Sequence, residues 1–285
     1  MILILILILS GAALGGLTTA CGGAASGAEA GRETVVAGFY PLAYAAEQVG
    51  DGRVEVTNLT PLGSEPHDLE VSPRDVADLR SADLVLLLGR GFQPQLEDAA
   101  GEGDHVVRLL DTPGLALRPG DDPHVWLDPL RYATIVTRIG EALGEPARAR
   151  RLVARLHGLH NEYRHGLAHC ARHELVTSHE AFGYLAQRYG LEQVAITGLS
   201  PEAESEPGRL QQVVDLVRAR GVTTVFFETL VSPRIADTVA RETGAKTAVL
   251  DPIEGLTKDE LARGDDYFTL MRANLAALRA GLGCR

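Results

Sequence analysis

Four segments of this sequence place a histidine or an aspartate where a metal ligand could stand. His67, His124 and His179 lie at or beyond the ends of predicted strands, and Asp251 does the same. A proline adjoins His67, His124 and Asp251, and proline stiffens the loop that presents its neighbour. A metal site needs such stiffness, because ligands from separate segments must converge on one ion. Three imidazoles and one carboxylate suit tetrahedral Zn²⁺.

Each of these residues also has an ordinary structural explanation. A single loop histidine is more often a hydrogen-bonding or capping group than a metal ligand, and Asp251 could cap a turn. The four positions are far apart in sequence, and no local CxxC or HxxxH spacing joins them. Spacing alone therefore leaves the ligand set open.

The hydrophobic pattern alternates between strands and helices over the whole chain after residue 33. It predicts strands over 34–39, 54–59, 84–89, 106–109, 175–177, 193–197, 222–227 and 247–250. It predicts helices over 41–49, 73–81, 181–189, 209–220, 233–243 and 267–282. Such alternation is typical of a largely parallel sheet. We therefore expect an α/β fold with two βα lobes, 34–145 and 171–285, joined by one long connecting helix over 146–170.

The N-terminal residues indicate the compartment. An unbroken apolar run over 1–9 and a small-residue stretch up to Cys21 predict a signal peptide over 1–20 and a flexible tether over 21–33. Residues 17–21 resemble a lipobox, which implies that Cys21 carries a lipid anchor. Two features depart from that pattern: the leucine lies four places before Cys21, and no Lys or Arg occurs in 1–20. We expect a protein on the outer face of the cytoplasmic membrane or in the periplasm.

The net charge narrows the classes of possible partner, and the two cysteines other than Cys21 concern a disulfide. The chain has 27 Lys and Arg against 38 Asp and Glu, a net charge of −11. With no clustered basic stripe, this balance argues against nucleic acid as a partner.

Outside the cytoplasm Cys170 and Cys284 are expected to form a disulfide, and two buried free thiols are the alternative.

Several longer motifs resemble one family. These are PH at 66–67, DPHVWLDP at 122–129, TSHEAFGY at 177–184, GLSPEAE at 198–204 and LDP at 250–252. Together they are similar to the zinc and manganese substrate-binding lipoproteins of metal-uptake ABC transporters, the cluster A-I solute-binding proteins. The resemblance covers nearly all of the chain after residue 34. It implies that His67, His124, His179 and Asp251 are the ligands, two from each lobe, with the ion at the lobe interface.

The resemblance also implies a metal and partners. Manganese members are expected to carry Glu where this chain has His179, and a third imidazole favours one Zn²⁺ per chain over Mn²⁺. The implied partners are an ABC permease and its ATPase, and we expect the chain to be a monomer. Zinc members often carry a long His-rich loop before the second ligand histidine. In this chain the corresponding residues 101–122 contain a single histidine, His105, and a few acids. We therefore hypothesise that a separate metallochaperone supplies the metal.

A zinc hydrolase is the main alternative from another class. Glu180 could act as its general base, and a water would take the fourth coordination position. Asp251 would fill that position, however, and Gly183 stands where an HExxH motif needs its second histidine. We expect a binding protein and not an enzyme, with Glu65 and Glu180 shaping the field around the ligands. A secondary role as an adhesin is a third hypothesis, for which no residue argues.

Overall fold

Two four-stranded parallel sheets form the frame of the chain. The computed structural model describes residues 32–202 and 208–285. The first sheet has the order β2 (Val54–Asn58), β1 (Glu33–Ala37), β3 (Leu84–Leu87) and β4 (Val106–Arg108). The second has the order β6 (Glu192–Ala195), β5 (Glu174–Thr177), β7 (Thr224–Phe227) and β8 (Lys246–Val249). All neighbouring strands are parallel and the two orders correspond, which confirms the predicted α/β fold with two lobes.

Ten helices connect and cover the strands in the described residues. They are α1 (Tyr40–Gly50), α2 (Pro73–Ser81), α3 (Pro94–Ala100), α4 (Pro129–Ala142), α5 (Pro146–Gly166), α6 (Gly183–Tyr189), α7 (Arg209–Arg220), α8 (Arg234–Thr243), α9 (Lys258–Arg263) and α10 (Tyr267–Leu282). The helix predicted over 146–170 corresponds to α5. The pattern did not predict α3 and α9, which have seven and six residues and are too short to show a helical period. No range was predicted for the longer α4 either. In the part of the chain that the structure describes, no helix has the length and hydropathy needed to cross a membrane.

Helix starts follow local chemistry. Ser72 caps α2 through the backbone N–H of Asp75, and the Asp75 side chain accepts a hydrogen bond from Ser72 N in return. Asp128 caps α4 through Leu130 N. These side chains satisfy N–H groups that the helix itself cannot pair. The helices therefore begin at fixed residues, and so do the loops that precede them.

The last helix, α10, returns from the second lobe and packs on the connecting helix α5. The Tyr163 hydroxyl donates a hydrogen bond to Met271 O at 2.6 Å, and the Tyr267 hydroxyl donates one to Trp126 O at 2.6 Å. The largest apolar cluster joins the first lobe to α6, α10 and the loop after β8, whereas the outer part of each lobe has a smaller cluster of its own. Loops from both lobes are therefore anchored in one shared core.

A disulfide joins Cys170 to Cys284. It ties the segment after α5 to the end of α10, where Ala171 N donates to Gly283 O and Arg172 N donates to Leu282 O. The predicted signal peptide (1–20) and lipid-anchor residue Cys21 lie outside the described residues, as does nearly all of the tether predicted over 21–33.

Candidate metal centre

His67 lies in the loop between β2 and α2. Its backbone N–H donates to Glu65 Oε1 at 3.2 Å, and its ring meets the Phe92 ring edge-on at 4.6 Å between centroids. The buried Gln93 side chain donates to Pro66 O at 3.2 Å. These contacts fix both the backbone and the ring plane of His67.

His124 is fully buried and stands directly before a short 3₁₀ turn, Val125–Leu127. One oxygen of Asp122 lies 3.0 Å from His124 N and 2.9 Å from His124 Nδ1. A carboxylate on Nδ1 fixes the tautomer of an imidazole and leaves Nε2 free to bind a metal. The same turn carries Trp126, whose indole N–H donates to Pro252 O in the second lobe at 2.7 Å.

His179 follows β5 and is also fully buried. Its Nδ1 lies 2.6 Å from Glu228 Oε1, so this second histidine has an outer carboxylate as well. The Thr177 hydroxyl and the Gln193 amide both donate to His179 O, at 2.7 and 3.1 Å. As with His124, the outer carboxylate leaves Nε2 facing inward.

Glu254 completes the group. Its Oε1 lies 3.4 Å from His67 Nε2, 3.2 Å from His124 Nε2 and 3.7 Å from His179 Nε2. The His124 and His179 Nε2 atoms are 3.4 Å apart. Tetrahedral zinc with ligands at about 2.05 Å requires ligand atoms roughly 3.3 Å apart. These four distances are close to that value, and all four donor atoms lie within 4.8 Å of one another.

The four side chains form a candidate metal group, and in the described residues it is the single such group of His, Cys, Asp and Glu. Neither carboxylate oxygen of the fully buried Glu254 makes a hydrogen bond of normal geometry. A buried polar atom without a partner calls for an explanation, and an ion is one of the usual ones. The chemistry of the donor set, three imidazoles and one carboxylate, fits zinc.

Without metal, protons hold this group together. Burial alone would lower the pKa of His179, but Glu228 and Glu254 outweigh it and raise that pKa to about 10. Burial likewise opposes protonation of His124, yet the nearby carboxylates of Asp122 and Glu254 outweigh it and raise its pKa. Burial would raise the pKa of Glu254, but the surrounding imidazoles bring it well below its usual value. The imidazolium of His179 therefore faces the Glu254 carboxylate, and zinc would have to displace its proton.

Glu65 is a further acid beside the group. It is largely buried, and burial followed by the nearby charge of Glu254 raises its pKa to about 9. Its Oε1 is 4.0 Å from His67 Nε2. The role of Glu65 in shaping the field around the ligands stays a prediction. Glu180 is exposed to solvent and is not part of the group, so its side chain does not stand where a general base for a zinc-bound water would be needed.

Asp251 does not join the group, which corrects the predicted ligand set. Its Oδ1 accepts a hydrogen bond from Ile253 N at 2.7 Å, so the short side chain is turned back onto its own loop. Burial raises its pKa to about 8, the bond from Ile253 opposes that rise, and the neighbouring Glu260 adds to it. The carboxylate among the imidazoles belongs instead to Glu254, three residues further on. The sequence offered one signal for it, an acid just beyond a strand end, and that signal fits both residues equally.

The outer carboxylate of His124 is tied to the second lobe. Arg118 Nη1 lies 2.6 Å from Asp122 Oδ2, and the Tyr184 hydroxyl donates to Asp122 O at 3.1 Å. The Arg118 guanidinium fits here because residue 183 is glycine: a Cβ at Gly183 would lie 1.4 Å from Arg118 Nη1. A Cβ at Gly183, at the start of α6, would therefore displace the Arg118 guanidinium.

Gly183→Ala should weaken zinc binding by up to about tenfold, since it displaces Arg118 and loosens the carboxylate that orients His124. Gly198→Ala is the matched control, because nothing lies within 4 Å of a Cβ there. The measurement is a chelator competition at constant pH. Adding Arg118→Ala to Gly183→Ala should cause little further loss, because both changes break the same contact. Fully additive effects would contradict this coupling.

Comparison with known proteins gives the family. The profile of the family described as zinc-uptake complex component A, periplasmic, matches residues 35–281. The chain belongs to this family. The predicted resemblance to metal-uptake solute-binding proteins is thereby confirmed, and the family is a component of an uptake complex, not a class of enzyme.

Individual relatives agree with this membership. The chain is 33% identical to zinc-binding protein AdcA of Streptococcus pyogenes serotype M18 over 87% of its own length and 56% of AdcA, so it spans about half of that relative. It is 32% identical to the high-affinity zinc uptake system protein ZnuA of Bacillus subtilis, over 93% of this chain and 94% of that one. The crystal structure of the Zn(II)-bound ZnuA-like domain of Streptococcus pneumoniae AdcA is similar with a TM-score of 0.75 and 33% identity, covering 88% of this chain and 99% of that domain.

Proposed function

We propose that this chain captures one Zn²⁺ outside the cytoplasm and delivers it to an ABC permease and its ATPase in the membrane. His67, His124, His179 and Glu254 hold the ion, which is cargo and not a catalytic cofactor. The observation that carries this proposal is the convergence of three imidazoles and one carboxylate, whose ligand atoms all lie within 4.8 Å of one another. The lipid anchor at Cys21 keeps the chain beside the permease, and its supply of zinc comes from a metallochaperone or from the medium.

The metal preference follows from the donor set. Imidazole is a better ligand for zinc than for manganese, which prefers carboxylate and other oxygen donors. The group has three imidazoles and one carboxylate. Names of relatives point the same way, since AdcA and ZnuA are zinc-binding and zinc-uptake proteins. Zinc is therefore the proposed cargo, and Mn²⁺ is the alternative that the test includes.

The same donor set argues for binding over catalysis. A catalytic zinc keeps one coordination position open for water, whereas a closed tetrahedral set does not. Four protein side chains are enough to occupy all four positions of a tetrahedral site, and the exposed Glu180 is not one of them. We therefore infer that the chain is not a zinc hydrolase.

Replacing a ligand should abolish tight zinc binding. Structural zinc sites with four ligands bind with about 10–16 kcal/mol, so one ligand accounts for roughly 3–4 kcal/mol, or about 10²- to 10³-fold in affinity. His179→Ala and Glu254→Gln should each show such a loss. The purified protein is stripped with chelator, equilibrated with zinc and manganese buffered at equal free concentrations, and subjected to elemental analysis.

Glu180→Gln is the matched control, since it removes an exposed carboxylate next to a ligand in sequence. The wild type and this control should both retain one zinc per chain and show no hydrolysis of model esters. Manganese retained over zinc would overturn the metal assignment. Zinc retained with unchanged affinity by Glu254→Gln or His179→Ala would overturn the ligand set.

A further inference from the structure

The chain makes an unusual turn just before Glu254. Ile253 has a φ of 57° and is fully buried. A β-branched residue rarely adopts this left-handed conformation, because its Cβ crowds the backbone. Such conformations persist only where the surrounding structure over-determines them, and they cluster at ligand sites. The turn at Ile253 therefore needs partners that hold it.

Two side chains of the second lobe hold the turn from one side. Asp251 Oδ1 accepts from Ile253 N at 2.7 Å, which closes the loop on itself. Asn274 of α10 clamps the backbone of Asp251 at both ends: its Oδ1 accepts from Asp251 N at 2.8 Å and its Nδ2 donates to Asp251 O at 2.6 Å. Asp251 and Asn274 are both buried, so water does not compete for these bonds.

The first lobe holds the same turn from the other side. Trp126 donates to Pro252 O at 2.7 Å, and it lies two residues after the ligand His124. Gly63 N donates to Leu256 O at 2.9 Å, from the loop that carries His67. The segments that present two imidazoles are thus bonded directly to the segment that presents the carboxylate.

We propose that Asp251 is a positioning residue, whose Oδ1 holds the left-handed turn at Ile253 and so directs Glu254 toward the three imidazoles. This inference rests on the proposed function, since it concerns the geometry of the same zinc site. The role requires a hydrogen-bond acceptor two residues before the amide it binds, and it does not require a negative charge. A ligand role would require the charge, because a neutral amide is a poor zinc ligand. The two roles therefore respond differently to asparagine.

The test compares Asp251→Asn, Asp251→Ala and Glu254→Gln in the purified protein. Asp251→Asn keeps the acceptor, so its zinc affinity should stay within about threefold of wild type. Asp251→Ala loses the acceptor and should bind zinc about 10- to 100-fold more weakly, as loss of an outer partner does. The visible absorption of the Co²⁺-loaded protein reports coordination separately: it should be unchanged in Asp251→Asn and altered in Asp251→Ala.

Ser72→Ala is the matched control for stability. Ser72 caps α2 by accepting from Asp75 N, and neither residue belongs to the metal group. It should lower the thermal midpoint without changing the Co²⁺ spectrum or the zinc affinity. If loss of stability alone weakened the site, this control would change the thermal midpoint, the Co²⁺ spectrum and the zinc affinity together.

Different results would overturn the positioning role of Asp251 and the proposed function. Loss of zinc affinity in Asp251→Asn to the level of Glu254→Gln would overturn the proposal and make Asp251 a ligand, and this comparison holds even if Asp251→Ala does not fold. Wild-type affinity and spectrum in a folded Asp251→Ala would also overturn it. Failure of the proposed function is a different result, in which the wild type binds no zinc or Glu254→Gln binds it unchanged.

Discussion

Raising the pH from 5.5 to 7.5 should tighten zinc binding by at least about 10²-fold, because at least one proton leaves the site for each ion that enters. The pKa of His179 is raised to about 10 and the pKa of His124 is also raised. His179 is therefore protonated at the start of a zinc titration over this range, and protonated histidine cannot bind metal. Each displaced proton contributes one factor of ten per pH unit.

The folding stability of the metal-free protein should fall as the pH rises, whereas the zinc affinity should increase. An ordinary histidine in the unfolded chain has a pKa of about 6.5, whereas that of His179 in the folded chain is about 10. The folded state thus binds the proton more tightly, so the stabilisation is complete below pH 6.5 and is lost as the pH rises toward 10. Thermal midpoints of metal-free and zinc-loaded protein should therefore diverge as the pH increases.

Calorimetric titration with zinc in two buffers of different ionisation enthalpy measures how many protons are released for each zinc ion bound. At pH 7.5 the wild type should release at least one proton per zinc. Glu228→Gln removes a carboxylate that raises the pKa of His179, so its count should fall below that of the wild type, while the exposed Glu180→Gln should match the wild type. A flat affinity from pH 5.5 to 7.5 with no proton release would contradict zinc binding by His124 and His179.

General rules for parallel sheets made the three histidines candidates, and the resemblance to the metal-uptake family selected them. Ligands of open α/β folds gather at the carboxyl ends of strands, and His67, His124 and His179 each follow a strand in the predicted pattern. Prolines beside His67 and His124 marked stiff loops, and the structure brings all three histidines together. The two-lobe architecture was predictable for a similar reason, since strand and helix periods differ clearly in long segments.

The fourth member was not predictable, because its placement depends on a single backbone conformation. Asp251 and Glu254 both follow β8, and each could reach a site at the end of that strand. The choice is made by the left-handed turn at Ile253, which a β-branched residue would not be expected to adopt from its own preferences. Tertiary bonds from Asn274 and Trp126 impose it.

The outer carboxylates were missed for a different reason. Glu228 follows β7 as the histidines follow their strands, but a lone acid at a strand end carries no motif. Its role emerges only from its 2.6 Å contact with His179 Nδ1. Asp122 lay inside a recognised motif, yet sequence does not reveal that one of its oxygens meets both the backbone N and Nδ1 of His124. The Glu228 contact depends on the pairing of β5 with β7, and the Asp122 contact depends on the local turn of its loop.

Removing the disulfide should cost stability and leave the metal centre intact. The bond between Cys170 and Cys284 spans 114 residues, and a loop of that length stabilises by about 4 to 5 kcal/mol in the chain-entropy model. Neither cysteine belongs to the metal group, and the backbone bonds of Ala171 and Arg172 to the end of α10 remain. We therefore expect Cys170→Ala/Cys284→Ala to unfold at lower urea concentration with nearly unchanged zinc affinity.

Urea unfolding of the metal-free protein measures how much the free energy of unfolding falls when the disulfide is removed. Zinc is left out because it binds the folded state and would stabilise it further. Reduced wild type is the matched control, because it lacks the bond but keeps both side chains, and it should unfold close to the double variant. Equal stability of oxidised wild type and variant would mean that the bridge does not form in solution. A parallel loss of zinc affinity would mean that the tie between α5 and α10 also sets the spacing of the ligands, through the contacts of α10 with Trp126 and Asp251.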